Sequence, residues 1–313
     1  MERFTDPSHP CPCFEPKPEM KKSLGQNHPY RWPKTIGFHT QNDVDQLIKH
    51  LEEDNLWYVT EKLDGCVLII SSEDWLASPS RIIGERGAGM VLEFYQGVSL
   101  KEDKIETLFK NTHTLKDKLK LAHFKDDELK LMLYGKVILK GTVSSRKDLY
   151  NYREKNIYPG DFICFGIGLV LPKNVQLPSE FSNAVLNNRR EDLDEIAEQN
   201  CFAVPMNPYL CKLLACCAID HNRICMSQKL NSILDDGKLI QDINKKKSGG
   251  YVLSAQAGEG LLKLIPIPNI LCVHDHRERL EKVIELLKAV NHSTPKNAQI
   301  INKTTALISA DGS

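Results

Sequence analysis

The 313-residue sequence contains no apolar run near the roughly 20 residues that a membrane-spanning helix needs. The first thirty residues mix prolines, cysteines and charges of both signs, and they also lack the apolar stretch of a signal peptide. Neither a transmembrane nor a secreted protein is expected on these grounds. We predict an intracellular protein, cytoplasmic or nuclear, with no membrane contact.

An excess of charge of one sign is absent as well, because 41 Lys and Arg residues balance 41 Asp and Glu residues. Attraction of the whole molecule to nucleic acid is therefore excluded, and an anionic partner has to bind a local patch. Lysines are frequent from Lys116 to Lys130 and at 245–247. Acidic residues surround the first segment, so a solvated helix face explains it better than a phosphate-binding surface.

Ten cysteines are too few for a disulfide scaffold in a chain of this length, and a reducing compartment keeps thiols free. Five residues of metal-ligating types fall within fifteen positions, but they offer only one C-x4-C and one H-x3-C step, so a zinc site is the less favoured interpretation. We interpret most of the thiols as small packed side chains and assign no metal ligands to the chain. The cluster consists of Cys211, Cys216, Cys217, His221 and Cys225.

Changes in composition divide the chain into three segments. Residues 1–34 are rich in proline and are expected to be an extended or partly disordered lead-in. Residues 35–270 hold most of the periodic apolar segments and form the predicted folded domain. Residues 271–313 are predicted to contain one amphipathic helix, at 277–290, and a polar tail.

Strand patterns dominate the predicted domain. Apolar and β-branched runs predict five strands, at 56–60, 66–70, 81–86, 129–139 and 161–171. A hairpin is predicted around Gly258-Glu259-Gly260. Helical periodicity is present at 42–53 and 101–122, and residues 180–246 are predicted to be mostly helical. The predicted fold class is therefore α+β, with antiparallel sheets and helical insertions.

Lys62 lies in the short polar segment Glu61-Lys62-Leu63-Asp64-Gly65 between the first two predicted strands. The segment predicts a tight turn that presents an amine beside a carboxylate, and its glycine lets a ligand approach the backbone closely. A neutral lysine amine is a nucleophile suited to covalent catalysis. A lysine that only extends from a polar turn into solvent is the alternative interpretation.

Five segments between residues 60 and 265 follow one another in the order in which one superfamily carries its motifs. They resemble the covalent nucleotidyltransferases, specifically ATP-dependent RNA ligases of the RNA ligase 2-like type, whose K-x-D-G motif usually follows Thr-Glu. The segments are Thr60-Glu61-Lys62-Leu63-Asp64-Gly65, Tyr134-Gly135-Lys136-Val137-Ile138, Phe162-Ile163-Cys164-Phe165-Gly166-Ile167, Gly249-Gly250-Tyr251-Val252-Leu253 and Leu261-Leu262-Lys263-Leu264.

The resemblance implies that residues 35–270 form a nucleotidyltransferase domain (ATP-grasp-like ligase adenylylation), with the nucleotide between antiparallel sheets. It implies that Lys62 attacks the α-phosphate of ATP, with Mg²⁺ or Mn²⁺ present, and becomes lysyl-AMP for RNA end joining. The other implied residues are Glu61 and Phe165 on the adenine, Arg86 on the ribose or the RNA end, Lys263 on the α-phosphate as a second catalytic residue, and Asp64, Gly65 and Lys136 around the nucleotide.

Four positions depart from the family pattern. Lys136 stands where the family carries glutamate, Gly166 and Gly249 replace two acidic residues, and Leu261 replaces the first of two lysines. A register that uses Glu259-Gly260 as the fourth motif recovers one glutamate but is less favoured, because prolines follow it. Hard Mg²⁺ needs oxygen ligands that glycine and lysine side chains do not offer.

These departures leave two functions open. In the first, Lys136 supplies the positive charge that a metal ion otherwise brings, and the chain is an active ATP-dependent RNA ligase in RNA processing. In the second, the chain is a catalytically degenerate pseudoenzyme that binds nucleotide or RNA, or acts as the partner subunit of another protein. The first function is the prediction, and the second is its alternative.

Overall fold

The computed structural model describes residues 32–33, 35, 46, 49–50, 53–63, 65–71, 75–77, 82–86, 91–94, 98–125, 129–139, 157–187, 198–236, 238–239, 250–258 and 260–264. The strands are β1 (Leu56–Glu61), β2 (Cys66–Ser71), β3 (Trp75–Ala77), β4 (Ile82–Arg86), β5 (Val91–Phe94), β6 (Val98–Leu100), β7 (Lys130–Val137), β8 (Phe162–Pro172), β9 (Val185–Leu186), β10 (Gln199–Pro205), β11 (Ile224–Lys229), β12 (Tyr251–Ala255) and β13 (Leu261–Leu264). The helices are α1 (Glu102–Ala122), α2 (Pro208–Cys216) and α3 (Leu230–Asp236), with a 3₁₀ turn at Ser179–Phe181.

The named strands form three antiparallel sheets. The central sheet has six strands in the order β3-β2-β7-β8-β10-β9, and the side sheet has four in the order β11-β1-β12-β13. A small sheet contains β4, β5 and β6. Helices combined with antiparallel sheets make this an α+β fold, as the sequence predicts. The predicted hairpin is confirmed by the pairing of β12 with β13, and β7 and β8 are central strands.

One face of the central sheet carries the main core. Alternate strand residues such as Leu68, Leu133 and Leu169 are fully buried there, as the two-residue period of a strand requires. The side chains that cover them come from α1 and α2, and include Ile105, Leu115, Leu119, Leu210 and Leu214. We call this side the helix-covered face.

The two covering helices begin in different ways. Helix α1 has acidic residues in its first turn and Lys120 in its last turn, charges that complement the helix dipole. At the start of α2, the side chain of Asn207 accepts a hydrogen bond from the Leu210 N–H at 2.7 Å, and Pro208 occupies the first helical position. Both helices therefore start where their sequences provide a local signal.

The other face of the central sheet carries a smaller cluster with more aromatic rings. Ile69, Met132, Tyr134, Val170 and Cys201 are buried in it, and the partly buried Trp32, Val67 and Phe165 pack against them. We call this side the aromatic face. The alternation of neighbours along each strand assigns these residues to the side opposite the helix-covered face.

Residues 180–246 were predicted to be mostly helical, and this prediction is wrong for their described part. Helices α2 and α3 lie there, but so do β9, β10 and β11. Strand β10 pairs along its whole length with β8, and Pro205 and Pro208 prevent a continuous helix through this region. The predicted helix at 277–290 lies outside the described residues.

Within the part of the chain that the structure describes, no helix combines the length and the apolar character that a membrane crossing requires.

Candidate functional site

The segment from Glu61 to Gly65 connects two different sheets. Strand β1 ends at Glu61 in the side sheet, whereas β2 begins at Cys66 in the central sheet, and the two strands do not pair. The order strand, polar segment, strand was predicted correctly, but the predicted tight turn is a passage between sheets. Lys62 follows β1 directly and is therefore placed at this passage.

The backbone of Lys62 is held by the residue that precedes β12, the strand paired with β1. Its N–H donates to the carbonyl of Gly250 at 2.9 Å, which continues the pairing of β1 with β12. Gly250 has a φ of 133°, a conformation that favours glycine. The side chain of Lys62 is partly buried. The backbone conformation at position 250 therefore explains why a glycine stands there in the fourth-motif segment. Its neighbour Gly249 lies outside the described residues.

Asn222 joins the two sheets beside the passage. Its side-chain amide donates to the carbonyl of Glu61 at 2.6 Å, and its backbone N–H donates to the carbonyl of Cys164 on β8 at 2.8 Å. The N–H of Cys164 in turn donates to the carbonyl of Asp220 at 2.8 Å, so His221 forms an isolated parallel bridge with Cys164. The end of β1 is thus fixed to the central sheet immediately before Lys62.

Gly65 and Lys136 lie in contact on the central sheet. The ammonium of Lys136 donates to the carbonyl of Gly65 at 3.2 Å. A side chain at Gly65 would overlap the carbonyl oxygen of Val137, so this close approach of β2 and β7 requires glycine. Lys136 pairs with Val67 and so lies on the aromatic face. The sequence predicted both residues as site residues, and the structure brings them together.

Phe165 belongs to a group of three rings on the aromatic face. The ring centroids of Trp32 and Phe165 are 5.0 Å apart with the planes at 83°, and those of Trp32 and Tyr134 are 5.0 Å apart at 64°. Gly166 lies beneath Trp32: a Cβ there would overlap the Cη2 atom of the indole and lie 2.7 Å from its Cζ3 atom. Trp32 therefore occupies the volume that any side chain at position 166 would need.

Lys263 lies on β13 in the side sheet and is partly buried. It pairs with Val252 on β12, which pairs with Thr60 on β1. Directly paired residues project from the same face of a sheet, so Lys263 shares a face with Thr60, two residues before Lys62. The last two motif segments and the K-x-D-G segment therefore lie on neighbouring strands.

The remaining predicted residues are less well defined. Arg86 ends β4 in the small sheet, where it pairs with Val91, and only its backbone is described. Glu61 is partly buried, and its carbonyl accepts the Asn222 bond. Asp64 lies outside the described residues, as do the lysines at 245–247.

Two thiols on the strands of the central sheet are deeply buried. Burial raises the pKa of Cys164 to about 12 and that of Cys201 to about 12. A thiol with so high a pKa remains protonated at neutral pH and is a poor nucleophile and metal ligand. These two cysteines therefore behave as small packed side chains, as the sequence predicts for most of the thiols.

The cysteine and histidine cluster is spread over different environments. Cys217 is buried, Cys211 is partly buried, and Cys216 and Cys225 are exposed. Burial raises the pKa of both Cys211 and Cys217. Among the described residues, which include the whole cluster, no group of three or more His, Cys, Asp or Glu side chains is arranged to hold a metal ion.

A groove of about 690 Å³ lies between the side sheet and α2. Its lining includes Tyr58, Cys211, His221 and Arg223. Burial raises the pKa of Tyr58, so its hydroxyl stays protonated at neutral pH. None of the residues that the motifs assign to nucleotide lines this groove.

Two residues of the site were not found by sequence reasoning. Asn222 acts through a bond to a backbone carbonyl 161 positions away, for which the sequence carries no local signal. Trp32 falls in the proline-rich lead-in. Gly166 is the signal that could have indicated it, because glycine inside a central strand often marks a site where another group approaches closely.

The sequence matches no protein-family model and no curated protein. Among solved structures, the chain is similar to an RNA ligase of Naegleria gruberi, a mutant form with AMP and Mn. The TM-score is 0.34 and the sequence identity is 14%. The similarity covers 75% of this chain and 57% of that ligase, so the chain spans less than two thirds of its length.

Proposed function

We propose that this chain is an RNA ligase-like adenylyltransferase that forms lysyl-AMP on Lys62 from ATP and transfers the AMP to an RNA end. One observation carries the proposal: the K-x-D-G segment passes between two sheets, and the other motif segments lie on the strands beside it. The backbone N–H of Lys62 donates a hydrogen bond to the carbonyl of Gly250 in the fourth segment. The carbonyl of Gly65 accepts a hydrogen bond from the ammonium of Lys136 in the third segment.

The chemistry begins on Lys62. Its amine attacks as the neutral form, so its proton passes to water first. The nitrogen lone pair then forms a bond to the α-phosphorus, the bond from that phosphorus to the leaving oxygen breaks, and pyrophosphate departs. In the second half of the reaction a phosphate oxygen at the RNA end forms a bond to this phosphorus, the phosphorus–nitrogen bond breaks, and the departing Lys62 amine takes up a proton from water.

The surrounding residues supply binding and charge. Lys136 and Lys263 are cations that stabilise the negative charge spread over the phosphoryl oxygens in the transition state. Phe165 offers a π-face to adenine, an interaction of about 1–3 kcal/mol. Glu61 is proposed to contact adenine, and Arg86 the ribose or the RNA end.

A divalent metal ion would neutralise the phosphates of ATP when bound. Mg²⁺ prefers oxygen ligands in octahedral geometry, and Mn²⁺ is also suited to carboxylate, carbonyl and water ligands. Lys136 presents an ammonium at the third-motif position and already donates to the oxygen of Gly65. The residues described there do not fit a metal ion, so we assign no step to one, and Lys136 provides the local positive charge.

A second function is favoured by one specific observation. Trp32 fills the space above Gly166, the position at which the resembling family carries an aspartate. A site remodelled in this way can bind nucleotide or RNA without covalent transfer. The second function is therefore a degenerate ligase-fold protein that binds these ligands alone or as a partner subunit.

Intact mass after incubation with ATP tests the proposal. The full-length protein is incubated with ATP and Mg²⁺ or Mn²⁺ over a range of pH, and we expect a mass increase of one AMP. Lys62→Ala should abolish the increase because it removes the nucleophile, whereas Lys173→Ala, at an exposed lysine after β8, should retain it. Folded wild-type protein that gains no mass under any of these conditions contradicts adenylylation. An ATP-dependent rise in its melting temperature would then support the binding function.

Restoring acidic residues separates the two functions further. The double variant Lys136→Glu and Gly249→Glu should lose adenylylation if Lys136 is the working cation, because the charge at the phosphate is reversed. An increase in adenylylation would instead indicate a decayed site that the carboxylates repair. Lys130→Glu, on the same strand as Lys136, is the matched control for adding a carboxylate to β7.

A further inference from the structure

We infer that Trp32 is a base-binding residue, and that Trp32 and Phe165 form two perpendicular aromatic walls that hold the purine of the nucleotide. The inference rests on the proposed function and extends it to a residue outside all five motif segments. It identifies the ligand part as a flat aromatic base and assigns its second contact to the chain before β1.

The first step of the argument is the fit between Trp32 and Gly166. The indole edge occupies the position that a Cβ would take at Gly166, so any larger residue would overlap it. The backbone carbonyl of Val204 would also lie 2.8 Å from a Cβ at this position. A glycine is therefore needed here, and the space that it leaves on the aromatic face is filled by the edge of one ring.

The second step is the orientation of the rings. Trp32 stands at 83° to Phe165 with the ring centroids 5.0 Å apart. A planar base that stacks on one ring therefore presents its edge to the other, and both stacked and edge-to-face contacts are favourable arrangements of aromatic rings. Tyr134 fixes the corner from below, because it is 1% exposed and contacts both rings.

The third step is exposure. Tyr134 is 1% exposed and has no surface left for a ligand. Trp32 and Phe165 are both only partly buried and so retain surface that a ligand can cover. Lys136 lies on the same face, in the strand that also carries Tyr134, and supplies a cation for a phosphate.

AMP is the probe for the test, because it binds without providing pyrophosphate as a leaving group. Calorimetry on the full-length protein should show that Trp32→Ala weakens AMP binding about tenfold, a loss in the range of one base-stacking contact. Trp32→Phe should retain binding within about threefold, since phenylalanine keeps a π-face. Leu121→Ala, at a side chain that is 90% exposed on α1, is the neutral control.

Fluorescence provides a readout that a purely structural role would not move. AMP should change the tryptophan emission of the wild type, and this change should disappear in Trp32→Phe while AMP still binds. An emission change that persists in Trp32→Phe overturns the inference. Unchanged AMP binding by Trp32→Ala also overturns it, because Trp32 would then not contact the base. Tighter AMP binding by Trp32→Ala overturns it as well, because Trp32 would then block the site. If Trp32→Ala fails to fold, the fluorescence of Trp32→Phe decides.

The two proposals fail in different ways. A wild-type protein that gains AMP on Lys62, combined with a Trp32→Ala variant of unchanged AMP affinity, overturns the inference about Trp32 and leaves the proposed function intact. A wild-type protein that binds neither AMP nor ATP overturns both.

Discussion

The two faces of the central sheet are built from the same strands and differ in what they offer a ligand. The helix-covered face is closed by α1 and α2 over fully buried aliphatic side chains. The aromatic face carries partly buried rings, a lysine, and two glycines: Gly166 leaves room for Trp32, and Gly168 leaves room for the buried Tyr134. One face therefore stabilises the fold, and the other keeps chemically useful groups near the surface.

Leu133→Ala should have the largest effect on stability. Leu133 is fully buried on the helix-covered face, so its removal leaves a cavity and is expected to cost about 2–5 kcal/mol of unfolding free energy. Denaturant titration measures the loss. Val67→Ala, on the same sheet but partly buried on the aromatic face, should cost less. Equal losses would break the contrast between the two faces.

Alkaline pH should destabilise the protein through Cys164 and Cys201. Each thiol titrates near 9.0 without burial and near 12 in the folded protein. Between these values the unfolded chain has released a proton that the folded chain retains, so stability is full below pH 9 and falls as pH rises toward 12. The expected slope is about 1.4 kcal/mol per pH unit for each thiol.

Denaturation at several pH values, with Cys164→Ala and Cys201→Ala, checks this expectation. Cys164 belongs to the helix-covered face and Cys201 to the aromatic face. Each substitution should remove about half of the slope of unfolding free energy against pH if water is excluded from both thiols in the folded protein. A slope that is lost only with Cys164→Ala would show that water reaches the aromatic face as far as β10.

Phe165→Ala should separate binding from stability. Losing the π-face is expected to weaken AMP binding by about 1–3 kcal/mol, measured by calorimetry. The cost in unfolding free energy should be smaller than that of Leu133→Ala, because Phe165 is only partly buried. Leu133→Ala should leave the AMP affinity of the folded protein unchanged. The reverse outcome, with Leu133→Ala weakening binding and Phe165→Ala not doing so, would place the ligand on the other face.

Asn222→Ala should have the smallest effect on stability and a clear effect on chemistry. It removes one hydrogen bond from the side-chain amide to the Glu61 carbonyl, at a cost of about 1 kcal/mol. The chain just before Lys62 is then held less firmly. The rate of AMP addition to the protein, measured by mass, should therefore fall. Asn111 on α1 also donates a side-chain amide hydrogen bond to a backbone carbonyl, that of Ala218. Asn111→Ala should not change the rate.

The sequence was informative where the signal is local. The strands at 56–60 and 66–70 and the hairpin of β12 and β13 follow from β-branched residues and turn glycines, and the structure confirms them. It was uninformative where a segment is defined by distant partners. Strand β10 exists because it pairs with β8, and its short run of seven residues is as compatible with a helix as with a strand.

The same limit applies to the candidate site. Gly65 and Lys136 were predicted because their segments resemble the family motifs, and their contact joins residues 71 positions apart. Nothing near Asn222 indicates that it joins two sheets, and nothing near Trp32 indicates the ring group that it completes. The sequence therefore named the candidate site residues, and the structure added neighbours that contact them.

The passage from β1 to β2 has a mechanical consequence. The chain at 61–65 and the hydrogen bonds of Asn222 both connect the side sheet to the central sheet, and Lys62 lies in the first connection, directly after the Glu61 carbonyl that Asn222 contacts. A rotation of one sheet against the other would therefore change the backbone geometry of these residues. The position of the Lys62 amine then depends on the angle between the sheets, so under the proposed function a ligand that contacts both sheets also orients this amine.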